Sequence, residues 1–566
     1  MEKNFKQAQT FHKEGNLCKA EQIYRAILEK QPKHTDAYYN LGVIMHTLGK
    51  LKEAEKYFQK AIELKPDFAE AYNNLGSSLF ELGMSNEAEI SFRKAIELKP
   101  DFAEGYLNLG FALYKLDQPL DAIVNFKKAL EFKPNLVIAY IHLGLVMNKL
   151  TKFNEAETFF KKAINLKPND AELYNHLANT VLKIDKIDEA ITNYKKAIEL
   201  KSDFFDSYNN LGVVYYNIKK LEEAEIFFNK ALFIRPNDEL ANTNLGLTLH
   251  KLGLLDQAII SFSIAIKSNP KSKKALLGRG KVLFEEKDFE SALNDFDIVS
   301  TKISRMYALA SLYGLGRIDE IYRRIESSLM LDDRNLKIAS FSSFISHKEN
   351  RITANKFCNN PMDFINISNL SSHIENSNSF INEVIQELQG IKTNWSPKMN
   401  TTVNGYHSDS KINLFKSPSK KLKELKSIIL NELDSYHLKF KKETCSLIQK
   451  WPIEKNLYAW HIILKQHGYQ IQHNHPLGWL SGVIYLKVTP PLKNNEGAIE
   501  FNLNGDTYSD VNSPKLIYQP KFGDIVLFPS SLFHKTIPFS SNSDRIVISF
   551  DLKPDLKNQI PVEDYM

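Results

Sequence analysis

The chain is poor in cysteine: among 566 residues only Cys18, Cys358 and Cys445 occur, and no two form a C-x-x-C pair. That excludes a disulfide framework and a cysteine-ligated zinc site, and fits a reducing compartment. There is no run of about 18 apolar residues, the length a membrane-crossing helix needs. The opening MEKNFKQAQTF lacks the apolar core of a secretory leader, so a cytoplasmic location with no membrane partner is expected. Excess charge is lacking too, with 73 basic against 67 acidic residues and a net +6. The lysines are dispersed along helical faces, which leaves no electrostatic footprint for nucleic acid. No G-x-S-x-G, P-loop or dinucleotide fingerprint occurs, which removes the hydrolase, nucleotide and nicotinamide chemistries those motifs carry. What remains is ordinary globular composition, 43% hydrophobic and 25% charged, at a length that suggests roughly three or four domains.

What is present first is repetition. Pro32, Pro66, Pro100, Pro134, Pro168, Pro236 and Pro270 fall at multiples of 34, with Ser202 at the one gap. Between prolines the same frame recurs: Leu41, Gly42, Ala54, Phe58 and Ala61 return as Leu75, Gly76, Ala88, Phe92 and Ala95. Small residues let two helices approach, an aromatic ring fills the space, and proline ends the second helix. Residues 1–272 hold eight full copies, and a worn ninth follows with Ala292 and Phe296 in frame. The frame closely resembles the tetratricopeptide repeat, a helix–turn–helix unit that stacks into a solenoid with a long concave face.

One frame position reads Asn40, Asn74, Asn108, His142, His176, Asn210 and Asn244. An asparagine amide offers a donor and an acceptor, the complement of one peptide group. The ladder is similar to that in the repeats of O-GlcNAc transferase, which implies a protein or peptide partner held through Asn40, Asn74, Asn108, Asn210 and Asn244. An acidic column, Asp36, Glu70, Glu104, Glu172 and Asp206, lies four residues earlier; acids near a helix start complement its dipole.

The repeats are expected to end near residue 335, so that 1–335 forms the solenoid and 336–399, rich in Ser and Asn, an irregular or partly helical connection. Residues 400–566 then form a third region. Ser417–Phe440 has Leu422, Leu425, Ile428, Ile429 and Leu433 at helical spacing. From Lys455 onward, NLYAWHIILKQ, WLSGVIYLKV, GAIEFNL, KLIYQ, GDIVLFP and RIVISFDL read as antiparallel strands bounded by turn residues.

Within that region QHNHPLGWLSGVIYL places His473 and His475 one residue apart, and alternate residues of an extended segment face the same way. His534 follows GDIVLFP, and Arg545 opens RIVISFDL with Ser549 four residues on, on the same strand face. H-x-H-P, S-G-V-x-Y-L, G-D-I-V-L-F-P-S…H and R-I-x-I-S-F together resemble a bacterial family of 2-oxoglutarate/Fe(II) oxygenases often joined to tetratricopeptide arrays. The resemblance implies an α + β multidomain chain, an all-α solenoid followed by a double-stranded β-helix (jelly-roll) domain with flanking helices. It implies Fe(II) held by His473, His475 and His534, with 2-oxoglutarate anchored by Arg545 and Ser549. Most of the wider superfamily carries a carboxylate where this chain has His475; Asp506, Glu500 or His461 remain alternative ligands. Tyr485 and Trp479 read as core or cavity wall, and His461 and His467 as ordinary neutral histidines. The expected activity is a 2-oxoglutarate-dependent dioxygenase hydroxylating a captured protein or peptide. The rivals are a scaffold with a degenerate β-domain, and an oxygenase acting on a small molecule.

Overall fold

The computed structural model describes residues 2–332, 334–396, 401–409, 411–489 and 491–554. It divides into two units, Met1–Leu252 and Gly253–Met566.

The first unit is a stack of helical hairpins, fifteen helices among the described residues from α1 (Glu2–Lys13) to α15 (Glu239–Lys251). Each frame glycine lies under the frame aromatic of its own hairpin: a Cβ on Gly42 would stand 2.6 Å from Phe58, and one on Gly76 2.7 Å from Phe92. Helix C-termini turn through a left-handed residue at fixed frame positions, Gly15, Gly49 and Gly83, then Asp117, Thr151, Asp185 and Lys219. Where side chains replace glycine there, the strained backbone is retained by the packing on either side.

The second unit opens with more hairpins, α16 (Leu255–Ser268), α17 (Lys273–Glu285), α18 (Phe289–Val299), α19 (Lys302–Gly314), α20 (Ile318–Ser327), α21 (Leu329–Asp332) and α22 (Leu336–Lys348). The worn ninth repeat keeps its frame contact, since a Cβ on Gly280 would lie 2.7 Å from Phe296. Among the described residues, ten strands follow in two antiparallel sheets. These are β1 (Asn366–Asn369), β2 (Thr393–Ser396), β3 (Thr402–Ser408), β4 (Asn456–Gln470), β5 (Leu480–Lys487), β6 (Ile499–Asn502), β7 (Lys515–Tyr518), β8 (Asp524–Pro529), β9 (Phe533–Thr536) and β10 (Arg545–Lys553). The large sheet runs β1-β8-β5-β10-β4-β3-β2 and the small one β7-β6-β9. The antiparallel pair is the arrangement expected of a jelly roll. Helices α23 (Ser377–Gln389), α24 (Lys420–Phe440) and α25 (Ser446–Gln449) flank it.

Strand alternation sorts the large sheet into two faces. Ile484, Leu486, Ile525, Leu527, Ile548 and Phe550 pack with Leu422, Leu425, Ile429 and Leu433 of α24 in one core. Val483, Tyr485, Val526, Phe528 and Val547 pack with the small sheet's Ile499, Phe501 and Phe533 in another. That second core also takes in α18, α19, α20 and α22; Phe341 and Phe344 of α22 pack against Tyr508, edge-on and tilted, with ring centroids 4.9 and 4.7 Å apart. The 253–348 helices therefore share a core with the β-sheets, and the units separate at 252/253, away from residue 335. The segment expected as a connection, 336–399, contributes α22, α23 and both edge strands, β1 against β8 and β2 against β3.

Candidate metal centre

The two paired histidines sit outside any strand, in the segment between β4 and β5 that turns through Pro476-Leu477-Gly478. Their extended backbone is held by the opposite sheet. His473 and His534 exchange both backbone hydrogen bonds, N to O at 3.0 and 2.9 Å, as an isolated antiparallel bridge. The His475 N–H donates to the Ser530 carbonyl at 3.0 Å. His534 is placed by β9, which pairs with β6 so that His534 faces Phe501.

These placements bring His473, His475 and His534 together, one ring nitrogen from each lying within 4.8 Å of the others. Ring centroids are 4.3 Å apart for His473 and His534, 5.1 Å for His475 and His534 and 5.2 Å for His473 and His475. Each Nδ1 faces an acceptor: Ile471 O at 2.7 Å from His473, Leu532 O at 3.4 Å from His534, and Asp551 Oδ1 at 2.6 Å from His475. A carbonyl or carboxylate oxygen can only accept, so each Nδ1 carries a hydrogen, and Nε2 is the ring nitrogen turned away from that acceptor. Burial, reinforced by the neighbouring imidazoles, drives His473 down to about 4 and His534 well below the usual histidine range. Both rings are therefore neutral near pH 7. Three convergent imidazole nitrogens fit a divalent transition metal. Trp460, Phe528 and Phe501 wall the triad, at centroid distances of 5.6 Å from His475, and 4.6 and 6.1 Å from His534.

Arg545 begins β10 and is 3% exposed. Its Nη1 donates to the Gly497 carbonyl, and its guanidinium stands 5.1 Å over the Tyr485 ring. Among the described residues no carboxylate neutralises it, and burial lowers its pKa from the ordinary value. Arg545 Nε, Tyr485 Oη and Thr489 Oγ1 are buried without a hydrogen-bond partner. Orphaned donors around a buried cation are the set that a ligand carboxylate would satisfy. Ser549 is buried on the same strand face, opposite Trp460 and Val483.

The alternative ligands lie elsewhere. His461 belongs to the α24 face of β4, fully buried with both ring nitrogens unpartnered. Glu500 pairs with Lys535 at 3.2 Å. Asp506, raised by burial, lines a small cavity with Lys337, Met306 and Tyr307. Trp479 is core, its Nε1 donating to Leu447 O at 2.9 Å. Tyr485 proves to border the cation pocket. Asp551 and Ser481 went unnoticed, although the alternation linking Arg545 to Ser549 reaches Asp551 two residues later.

In the repeats the ladder asparagines are half-buried and largely engaged with neighbours. Asn40 donates to Asp36 O, Asn74 to Tyr39 Oη and Asn108 to Asn73 Oδ1, at 2.8, 3.0 and 3.0 Å. Asn210 reaches Asn179 Oδ1 at 3.3 Å and Asn244 reaches Asn209 Oδ1 at 3.5 Å. His142 and His176 pack on Phe111 and Phe160, at 4.3 and 5.5 Å, as aromatic surface. The acidic column sits in first helical turns, and Glu70 and Glu104 pair with Lys99 and Lys133 at 2.9 Å.

Among the described residues no helix is long and apolar enough to cross a membrane. A search of curated proteins found no match. Similar solved structures include MamA, 26% identical over 28% of this chain and 94% of that one, TM-score 0.27. A tetratricopeptide repeat protein from Parabacteroides merdae ATCC 43184 is 24% identical, covering 44% and 98%, TM-score 0.35. YrrB, titled a TPR protein with an unusual peptide-binding site, is 23% identical, covering 32% and 95%, TM-score 0.29. Tetratricopeptide families match residues 35–68, 69–102, 103–136, 137–170, 182–219, 205–238 and 243–298. The family described as "Putative 2OG-Fe(II) oxygenase" matches residues 458–551 and so spans the histidine triad and Arg545. The chain thus joins tetratricopeptide repeats to a β-domain whose residues 458–551 match the family described as "Putative 2OG-Fe(II) oxygenase".

Proposed function

We propose that the chain is an Fe(II)- and 2-oxoglutarate-dependent oxygenase that hydroxylates a protein or peptide captured on the concave face of its repeats. The observation that carries this reading is the convergence of three histidine ring nitrogens in the same β-domain as a buried Arg545 that, among the described residues, has no carboxylate partner. His473, His475 and His534 would hold the metal. Arg545, with Ser549 and the unpartnered Tyr485 and Thr489 hydroxyls, would take the distal carboxylate of 2-oxoglutarate; a guanidinium fork suits that geometry. When bound, the iron and its cosubstrate supply oxygen activation coupled to decarboxylation of 2-oxoglutarate to succinate. The protein's part is to fix the ligand tautomers through Ile471 O, Leu532 O and Asp551, to anchor the cosubstrate, and to exclude water with Trp460, Phe501 and Phe528. Three free cysteines accord with a reducing, cytoplasmic setting.

The test is 2-oxoglutarate-dependent succinate formation by the full chain, reconstituted with Fe(II) before exposure to oxygen. Wild type should form succinate, and His473→Ala and His534→Ala should lose it. Equal activity in all three would remove the assignment. Replacing Asn108 and Asn210 by Ala should impair hydroxylation of the captured peptide while leaving uncoupled 2-oxoglutarate turnover intact. If that turnover persists and peptide hydroxylation is undiminished, capture by the ladder is wrong and the oxygenase reading stands.

A further inference from the structure

The three histidines are not held alike. His473 and His534 lean on backbone carbonyls, neutral acceptors that any residue could provide. His475 leans on a carboxylate: Asp551 Oδ1 lies 2.6 Å from its Nδ1. Asp551 is itself 5% exposed and sits inside a closed set of hydrogen bonds. Ser481 Oγ donates to Asp551 Oδ1 at 2.8 Å, Ser530 Oγ lies 2.8 Å behind Ser481, and Lys553 Nζ approaches Asp551 Oδ2 at 3.4 Å.

The chain has also made room for this arrangement. A Cβ on Gly478 would fall 2.5 Å from Ser530 Oγ and 3.2 Å from Asp551 Cγ, so the Pro-Leu-Gly turn closes over the group only because residue 478 has no side chain. The turn is tied down on both sides, Gly478 N–H to His475 O at 2.9 Å and Trp479 N–H to Leu552 O at 2.7 Å. Three separate segments, the 475–479 turn running into β5, residue 530 and β10, therefore meet at one carboxylate.

Burying a carboxylate is costly unless it has partners. Here the partners include one imidazole of the triad, and imidazole ligands bring no negative charge of their own to a dication. We propose that Asp551 is a positioning residue of the metal centre. It fixes the His475 ring with its hydrogen on Nδ1 and places an anion one ring behind the metal, which raises the ligand's basicity. The proposal rests on the metal-centre reading above and adds a residue beyond the three ligands. Ser481 and Ser530 keep Asp551 aimed, and Gly478 permits the approach.

The test uses the full chain with Co(II) alone as probe, read by its visible absorption, and compares wild type with Asp551→Asn. The amide nearly preserves shape but removes the charge and can present an N–H to Nδ1. Co(II) affinity should fall about 10- to 100-fold, the usual effect of losing such a partner. A second readout needs no variant that might misfold: ring ¹⁵N shifts of histidine-labelled, metal-free wild type, with His475 identified by its loss in His475→Gln. The Nδ1–H form is expected. Equal Co(II) affinity in Asp551→Asn, or an Nε2–H form of His475 in wild type, overturns the role of Asp551 while the metal centre stands. Should wild type take up neither Co(II) nor Fe(II), the metal centre and the role of Asp551 fall together.

Discussion

Asn474, the residue between the paired histidines, donates its side-chain amide to Ser340 Oγ on α22 at 3.0 Å. Ser340 in turn donates to the Ser531 carbonyl, three residues before His534. One hydroxyl thus ties both ligand-bearing segments to the last helix before the sheets. Ser340→Ala would leave a buried amide and carbonyl without partners, at about 1–3 kcal/mol. Chemical denaturation should show that loss, and Co(II) affinity should fall with it; an unchanged midpoint would mean the tie is incidental.

The left-handed frame position offers a stabilising change. Thr151 adopts φ 58° where Gly15, Gly49 and Gly83 occupy the same place in other repeats. A β-branched residue is strained there, so Thr151→Gly should raise the stability of the repeats by about 1 kcal/mol. Gly42→Ala, facing Phe58 at 2.6 Å, should lower it by about 1–3 kcal/mol through overpacking. Urea titrations followed by circular dichroism would read both.

His461 supplies a pH dependence unconnected with the metal ligands. Burial, aided by His407, lowers it from 6.5 to about 4. The folded protein therefore resists protonation that the unfolded chain accepts. The stability this group contributes is complete above about pH 6.5 and drains away as pH falls toward 4, at about 1.4 kcal/mol per unit. His461→Leu should flatten that part of the stability–pH curve and lose nothing at pH 7.5, because its ring nitrogens make no hydrogen bonds. An identical acid slope in both proteins would contradict this.

Arg545→Met separates cosubstrate from metal. 2-Oxoglutarate affinity of the Co(II)-loaded protein, measured by calorimetry, should drop about 10- to 100-fold, the worth of a charged hydrogen bond of about 1.5–3 kcal/mol. Co(II) affinity itself should hold. Since the buried cation has no carboxylate partner in the structure, the ligand-free variant should be no less stable than wild type. Unaltered 2-oxoglutarate binding would displace Arg545 from its role.

Much of this was written plainly in the sequence. The 34-residue period named the hairpins, and helical spacing found α24 with Leu422, Leu425, Ile428, Ile429 and Leu433 all buried. The β-branched runs foretold six strands, and the order of His473, His475 and His534 picked out three histidines that lie together. What escaped was short or polar. β1 is Asn-Ile-Ser-Asn, an edge strand with no apolar alternation to announce it. β9 is four residues long, too short for its own pattern to announce a strand, although it aims His534. His473 and His475 are aligned by a single bridge across the sheets, a long-range pairing that local pattern cannot reveal. The engagement of Asn74, Asn108, Asn210 and Asn244 with Tyr39, Asn73, Asn179 and Asn209 is likewise a matter of neighbours 31 to 35 residues away.

The edge strands bear on how the β-domain can be handled. A fragment trimmed to residues 458–551, the stretch the oxygenase family matches, would shed β1 from one rim of the large sheet and β3 with β2 from the other. Both β8 and β4 would then offer open rows of amides and carbonyls to any passing strand, and the α24 face of the sheet would be stripped bare. Such a fragment should clump rather than dissolve, so the smallest workable piece has to begin well upstream of the histidines, at or before α22.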